Sequence, residues 1–346
     1  MEPIIYSIPY PNTKINEKDY EYQIDTLPSP KLMKFGYNYL GNKLDMIKLS
    51  QIPQYTNGLE FDFTRTDKTS IQSLKKHFKF ELDTISTELW EMITLFKPLQ
   101  QISTAYAIQS DTLLSVYKAF SSKHKVSVNN SLSTNNSKSK SATKSQTFDL
   151  IFHNYSQVDL EENICSQIIY KDLPKLLASQ DKGSCMILQI FGIQTQSTSE
   201  YIHILSTLYE STYIYKPTVS SNLLDSKYLV LLNMQENTNL PVASETPDYI
   251  TSLSIPIPDT LESAIKCINS SLLPKKIQLY LEIEEYIKLK IYEGVLFREF
   301  MKKQNDNIAR WEQLFVNAPD TLFEDAYNRG SNICTKYESN EYILEM

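Results

Sequence analysis

Glycine is scarce in this chain of 346 residues: there are seven in all, and none between Gly58 and Gly183. Gly36 and Gly41 (FGYNYLG) have no G-x-G-x-x-G array or G-K-S/T and no preceding strand, so they mark a turn rather than a phosphate loop. Cysteine is scarce too. Cys165, Cys185, Cys267 and Cys334 are widely spaced, without a CxxC pair, and the four histidines do not cluster. That excludes a structural zinc site and leaves no metal to expect; the thiols are expected free, in a reducing compartment. No stretch approaches the roughly 18 consecutive apolar residues that read as a membrane span. The N-terminus (MEPIIYSIPYPNTK) lacks the basic region and apolar core of a signal peptide. An excess of positive charge is also missing: 34 basic against 41 acidic residues give a net charge of −7, which excludes a generally basic nucleic-acid coat. A soluble, cytoplasmic protein is expected.

What is present is enough apolar residue, 41%, to build a substantial core. The 23 tyrosines accompany many Ile, Asn and Lys, a bias that an AT-rich genome explains before base stacking does. Residues 1–83 read as an N-terminal extension that opens with a Pro- and Tyr-rich arm. Between Thr84 and Phe96 the residues Ile85, Leu89, Trp90, Met92, Ile93 and Phe96 recur at helical spacing. A short apolar run follows at 102–108, then a turn at Gln109–Asp111 and a helical TLLSVYKAF. Residues 121–147 contain no acid and almost nothing apolar, and read as a disordered or loop insertion. Its Lys123, Lys125, Lys138, Lys140 and Lys144 could brush a phosphate backbone, although a solvated linker is the plainer reading.

Beyond it the pattern turns regular. FDLIF (148–152), CMILQIF (185–191), TYIYKP (212–217) and KYLVLLNM (227–234) read as strands, and 172–179 and 199–209 as helices. Strands alternating with helices predict an α/β fold with a parallel sheet, and the polar connection 218–226 predicts an antiparallel hairpin at its edge. Residues 236–260 read as a linker. Two helical stretches, about 261–273 and 276–315, make residues 261–346 a helical appendage, whose stripe of Ile277, Leu281, Tyr286, Leu289, Tyr292, Leu296 and Phe300 could cover the sheet or a partner.

The order FDLIFHN, GSCMILQIF, YIYKPTVSSNLLDSKYLV resembles the carboxyl half of FtsJ-like RNA ribose 2′-O-methyltransferases, in the form found in large cytoplasmic DNA viruses. Phe148, Asp149, Leu150, Gly183, Lys216, Pro217, Ser220 and Tyr228 fall where that family's pattern places them, and the match covers residues 84–235. The resemblance implies a Rossmann-like methyltransferase sheet with helices on both faces, S-adenosylmethionine as cofactor, and a Lys–Asp–Lys–Glu tetrad whose central lysine takes the proton of the ribose 2′-hydroxyl. Carried over position by position, that tetrad is Glu88, Asn154, Gln189 and Ser226, with Asp225 replacing Ser226 if the motif shifts by one residue. A glutamine amide is no base near neutral pH, and an asparagine brings no charge to tune a lysine. A relocated lysine could restore the base, and Lys216 is nearest in sequence. The cofactor turn fails independently, because Gln109, Ser110 and Asp111 stand where a glycine would let the backbone approach the ligand.

The expectation is therefore a degenerate, non-catalytic methyltransferase-like protein without a cofactor. It would bind or stimulate a larger capping or transcription enzyme, with RNA contact possible at Lys216 and the insertion lysines, in a viral factory or virion. The segment 27–40 (LPSPKLMKFGYNYL) has a faint similarity to the poxvirus mRNA-capping enzyme small subunit. The alternatives are an active 2′-O-methyltransferase with a divergent site, and a structural protein of a particle. His153 sits at a strand end where active sites gather, but a lone histidine there is more often hydrogen-bonded than catalytic. Cys185 opens a buried strand and reads as core.

Overall fold

The computed structural model describes residues 2–11, 23–25, 78, 84–108, 115–120, 133–134, 147–155, 162–220, 222, 224–235, 249–289 and 294–338. Its strands are β1 (Ile5–Ile8), β2 (Gln23–Asp25), β3 (Ala105–Ile108), β4 (Ser133–Thr134), β5 (Leu150–His153), β6 (Cys185–Phe191), β7 (Tyr209–Tyr215), β8 (Ser226–Met234) and β9 (Tyr249–Ser252). The helices are α1 (Thr84–Leu95), α2 (Glu162–Ala178), α3 (Gln196–Leu208), α4 (Asp259–Leu289), α5 (Gly294–Trp311) and α6 (Leu322–Glu338).

Seven strands form one mixed sheet in the order β1-β7-β8-β6-β5-β3-β4. β6, β5, β3 and β4 run parallel, whereas β8 is antiparallel to both β6 and β7. β6 is apolar nearly throughout and buried at every position, as expected of a strand covered on both sides. One face carries a core of Leu89, Trp90, Met92, Phe96, Phe152, Ile187, Tyr228 and Val230, completed by Trp311, Leu314 and Phe315 from the C-terminal helices. The opposite face buries Ile151, Met186, Leu188, Ile190 and Leu229 under α2, α3 and α4. This is the α/β, Rossmann-like arrangement that the sequence predicts.

Several local expectations change. The antiparallel pair of β7 and β8 forms, but β8 inserts between β6 and β7, and the edge on that side belongs to β1. β1 therefore makes part of the supposed N-terminal arm a strand of the sheet, buried at Ile5, Tyr6 and Ile8. β2 of the same arm pairs with β9, which lies in the stretch read as a linker. Ser133–Thr134, inside the presumed insertion, pairs with β3. α4 runs through Pro274 where two helices were expected. A proline costs an interior helix about 3 kcal/mol or more, yet Ile265 and Ile268 before it and Leu279 after it are all buried, and that packing offsets the loss. Leu281, from the expected apolar stripe, is exposed.

The cysteine expectation is corrected as well. Cys267 of α4 and Cys334 of α6 form a disulfide with Cα atoms 5.4 Å apart, and only Cys165 and Cys185 are free and buried. The pair is separated by 67 residues, so sequence spacing gives no hint of a contact that arises from helix packing. Burial raises the thiol pKa of both free cysteines, as befits core residues.

Candidate functional site

The chain passes from β3 to β4 on one side and then to β5 on the other side of β3. In open α/β sheets such a switch point opens a crevice beyond the carboxyl ends of the strands, where ligands bind. The residues there follow from strand alternation. Leu150 and Phe152 of β5 face the α1 side, and the next position on that face is Asn154. On β6 the same face carries Cys185, Ile187 and then Gln189, which is register partner to Tyr228 of β8.

Gln189 is hydrogen-bonded through both its oxygen and its nitrogen. Its Oε1 accepts the Tyr155 backbone N–H at 3.0 Å, and its Nε2 donates to Ser226 Oγ at 2.9 Å. Both interactions are buried, and they tie the end of β5 to the start of β8 across β6. Asn154 itself is 1% exposed, and among the described residues neither its Oδ1 nor its Nδ2 has a hydrogen-bond partner. A buried amide left this way costs free energy, so it marks a position that the fold does not optimise for stability.

Glu88 joins the group from α1. Its Oε2 accepts the Tyr228 hydroxyl at 2.7 Å, directly beside Gln189 in register. Burial pushes its carboxyl up to about 7, against the opposing pull of the Tyr228 hydrogen bond and the Lys216 charge. Lys216 reaches the same place from the end of β7, where its Nζ donates to the carbonyls of Ser226 and Leu224, both at 2.8 Å, and to Ser220 Oγ at 3.2 Å.

One turn along α1, Glu91 gathers donors from three elements. The Thr218 N–H and hydroxyl, the Val219 N–H, the Tyr215 hydroxyl and the Trp311 indole N–H all point to its carboxylate. Burial raises its pKa, and these hydrogen bonds oppose the rise. The loop that follows Lys216–Pro217 is thereby fastened to α1. Sequence reasoning missed this role of Glu91, because no local pattern marks donors that arrive from three separate elements.

The four tetrad positions thus fall together. Gln189 donates to Ser226 and holds the backbone N–H of Tyr155, the residue after Asn154, while Glu88 is tied to Tyr228, the register partner of Gln189. Asp225 does not belong to this group, because its carboxylate pairs with Lys276 at 2.7 Å. Burial would raise its pKa, but the charges of Lys276, Lys227 and Lys216 outweigh that and lower it. His153 turns to the other face and meets Asp172 at 3.2 Å. Gln109, Ser110, Asp111, Lys123, Lys125, Lys138, Lys140, Lys144, His77, His124 and the segment 27–40 lie outside the described residues.

At the end of β6, Gly192 adopts φ +78°, and a side chain there would collide with the Glu162 carboxylate. Glu162 accepts the backbone N–H groups of Gln194 and Thr195, both at 2.8 Å, at the start of α3. A helix N-terminus that could attract an external anion is therefore already occupied by a carboxylate of the chain itself.

Among the described residues no group of three or more His, Cys, Asp or Glu could hold a metal ion, and no helix is long and apolar enough to cross a membrane. No established family model matches the chain. It is 35% identical over 342 residues to uncharacterized protein R383 of Acanthamoeba polyphaga mimivirus, with 95% of each chain covered. The chain belongs to the family of that mimivirus protein. The similarity therefore extends well beyond the Rossmann-like part to nearly the whole chain.

Proposed function

We propose that this chain is a methyltransferase-like protein without catalytic activity, serving as a binding or stimulatory subunit in viral RNA capping or transcription. The observation that carries the reading is the state of Gln189. At the position where the resembling enzymes need a proton-accepting lysine, a neutral amide is committed on both sides to structural hydrogen bonds. The viral setting rests on the mimivirus relative.

S-adenosylmethionine fits poorly with the described part of the crevice. Its ammonium and ribose call for free acceptors, whereas the nearby carboxylates are engaged: Glu162 with the start of α3, Asp172 with His153, and Glu88 with Tyr228. Tyr155 and Phe191 pack edge to face at the strand ends, with ring centroids 5.7 Å apart. Both RNA and a larger protein partner are compatible with such a scaffold, whose retained value then lies in its surfaces. The partner expected is a larger catalytic chain, for instance a capping or transcription enzyme.

The active alternative has one specific observation in its favour. Lys216 places an ammonium against the Ser226 carbonyl and near Glu88, so a lysine and a carboxyl still share the cleft. Co-expression tests the main reading. The chain should co-purify with a larger catalytic subunit and raise its activity, whereas methyl transfer to RNA by the isolated chain would contradict it. The pair Asn154→Asp with Gln189→Lys sharpens the test. No methyl transfer is expected from that variant, because the sequence also lacks the glycine turn of a cofactor site; a gain would show that only the tetrad had been lost.

A further inference from the structure

Cys267 and Ser271 stand four residues apart, on one side of α4. Ser271 Oγ is bonded to the Tyr6 hydroxyl of β1 at 2.6 Å, and Cys267 is bonded to Cys334 of α6. α6 itself lies on β1. Arg329 Nε donates to the Pro3 carbonyl at 2.8 Å, and a Cβ at Gly330 would run into the Ile5 carbonyl oxygen, so helix and strand backbones touch. β1, which among the described strands pairs with β7 alone, is thus enclosed by α4 and α6, and one covalent bond closes the enclosure.

We propose that Cys267–Cys334 is a redox-controlled clasp that sets whether α6 stays seated on the outer strand of the sheet. The two sulfurs differ in access: Cys267 is 2% exposed, whereas Cys334 is only half-buried. Exchange with a small thiol such as glutathione therefore begins at Cys334. The incoming thiolate forms a bond to the Cys334 sulfur, the disulfide breaks, and Cys267 leaves as a thiolate that takes a proton from water. A second glutathione thiolate then attacks the glutathione sulfur of the mixed disulfide. It releases glutathione disulfide and the Cys334 thiolate, which is protonated in turn. Closure is the reverse, with glutathione disulfide as the oxidant. The other two thiols do not compete, because Cys165 and Cys185 are buried in the core.

The test uses the full chain equilibrated in glutathione buffers from oxidised to reduced, without denaturant. Thiols are counted by alkylation after quenching and unfolding, and α6 release is followed by limited proteolysis. Two reactive thiols are expected in the oxidised buffer and four in the reduced one, with cleavage within 322–338 at least tenfold faster after reduction. The double variant Cys267→Ser, Cys334→Ser should be cleaved at the fast rate in both buffers. A bond that persists in fully reduced glutathione would overturn the clasp, as would four thiols in the oxidised buffer. So would a cleavage rate that ignores the redox state of the natural chain.

Discussion

Glu88 is the residue whose chemistry is most exposed to measurement. Its carboxyl titrates near 7 in the folded chain, against 4.5 for the ordinary group, so the native state holds the proton through that window and the unfolded state does not. The stability this contributes is fully present below about pH 4.5 and is lost as pH rises towards 7. A shift of that size corresponds to roughly 3 kcal/mol. Urea unfolding at several pH values should show stability falling across the window, and Glu88→Gln should remove the part of that slope that Glu88 contributes. Glu91, Glu162 and Glu200 act in the same direction, since burial raises each of them. His203 acts oppositely: burial lowers its pKa, so its contribution is lost as pH falls below about 6.5. The difference between natural chain and Glu88→Gln isolates the one group; an unchanged slope would remove Glu88 from the account. Gly330 offers a second residue-scale test. Its missing Cβ lets α6 touch the Ile5 carbonyl, so Gly330→Ala should lower stability by about 1–3 kcal/mol through forced separation of helix and strand. Equal unfolding midpoints for the two proteins would show that the contact is not made.

At the scale of elements, the C-terminal helices belong to the sheet's core and are not an annex to it. The Trp90 indole N–H donates to the Phe315 carbonyl at 2.8 Å, and the Trp311 indole donates to Glu91. Trp311→Phe keeps most of the apolar volume but leaves the buried Glu91 carboxylate one donor short, which should cost about 1–3 kcal/mol in chemical unfolding. No loss would mean that α5 is held by packing alone. These elements also show where the sequence is legible. β5 and β6 announce themselves as apolar runs, and α1 by its helical spacing, because their own burial pattern decides their conformation. β1 and β9 are four residues each and become strands only through distant partners, Tyr213 for Ser7 and Gln23 for Ser252, so no local signal marks them. The insertion of β8 between β6 and β7 is equally non-local. At the candidate site, Asn154, Gln189 and Ser226 were legible through the motif frame that placed them. Glu91 and Tyr155 were not, since one acts through donors from three separate elements and the other through its backbone N–H.

At the scale of the whole molecule, a Rossmann-like sheet brings Glu88, Asn154, Gln189 and Ser226 together, and three of the four, Glu88, Gln189 and Ser226, are held in buried side-chain hydrogen bonds. Gln189 bridges β5 and β8, Glu88 holds Tyr228, and Glu91 fastens the loop after Lys216. Hydrogen-bonded networks of this sort stabilise a scaffold and leave little for a substrate to engage. The mimivirus relative matches 95% of the chain, so the similarity is not confined to the Rossmann-like part. On the proposed reading, a fold kept without its chemistry is kept for what it binds. The most direct measurement is calorimetric titration of the full chain with S-adenosylmethionine: no heat of binding at millimolar cofactor is predicted, and a saturable isotherm would contradict the account.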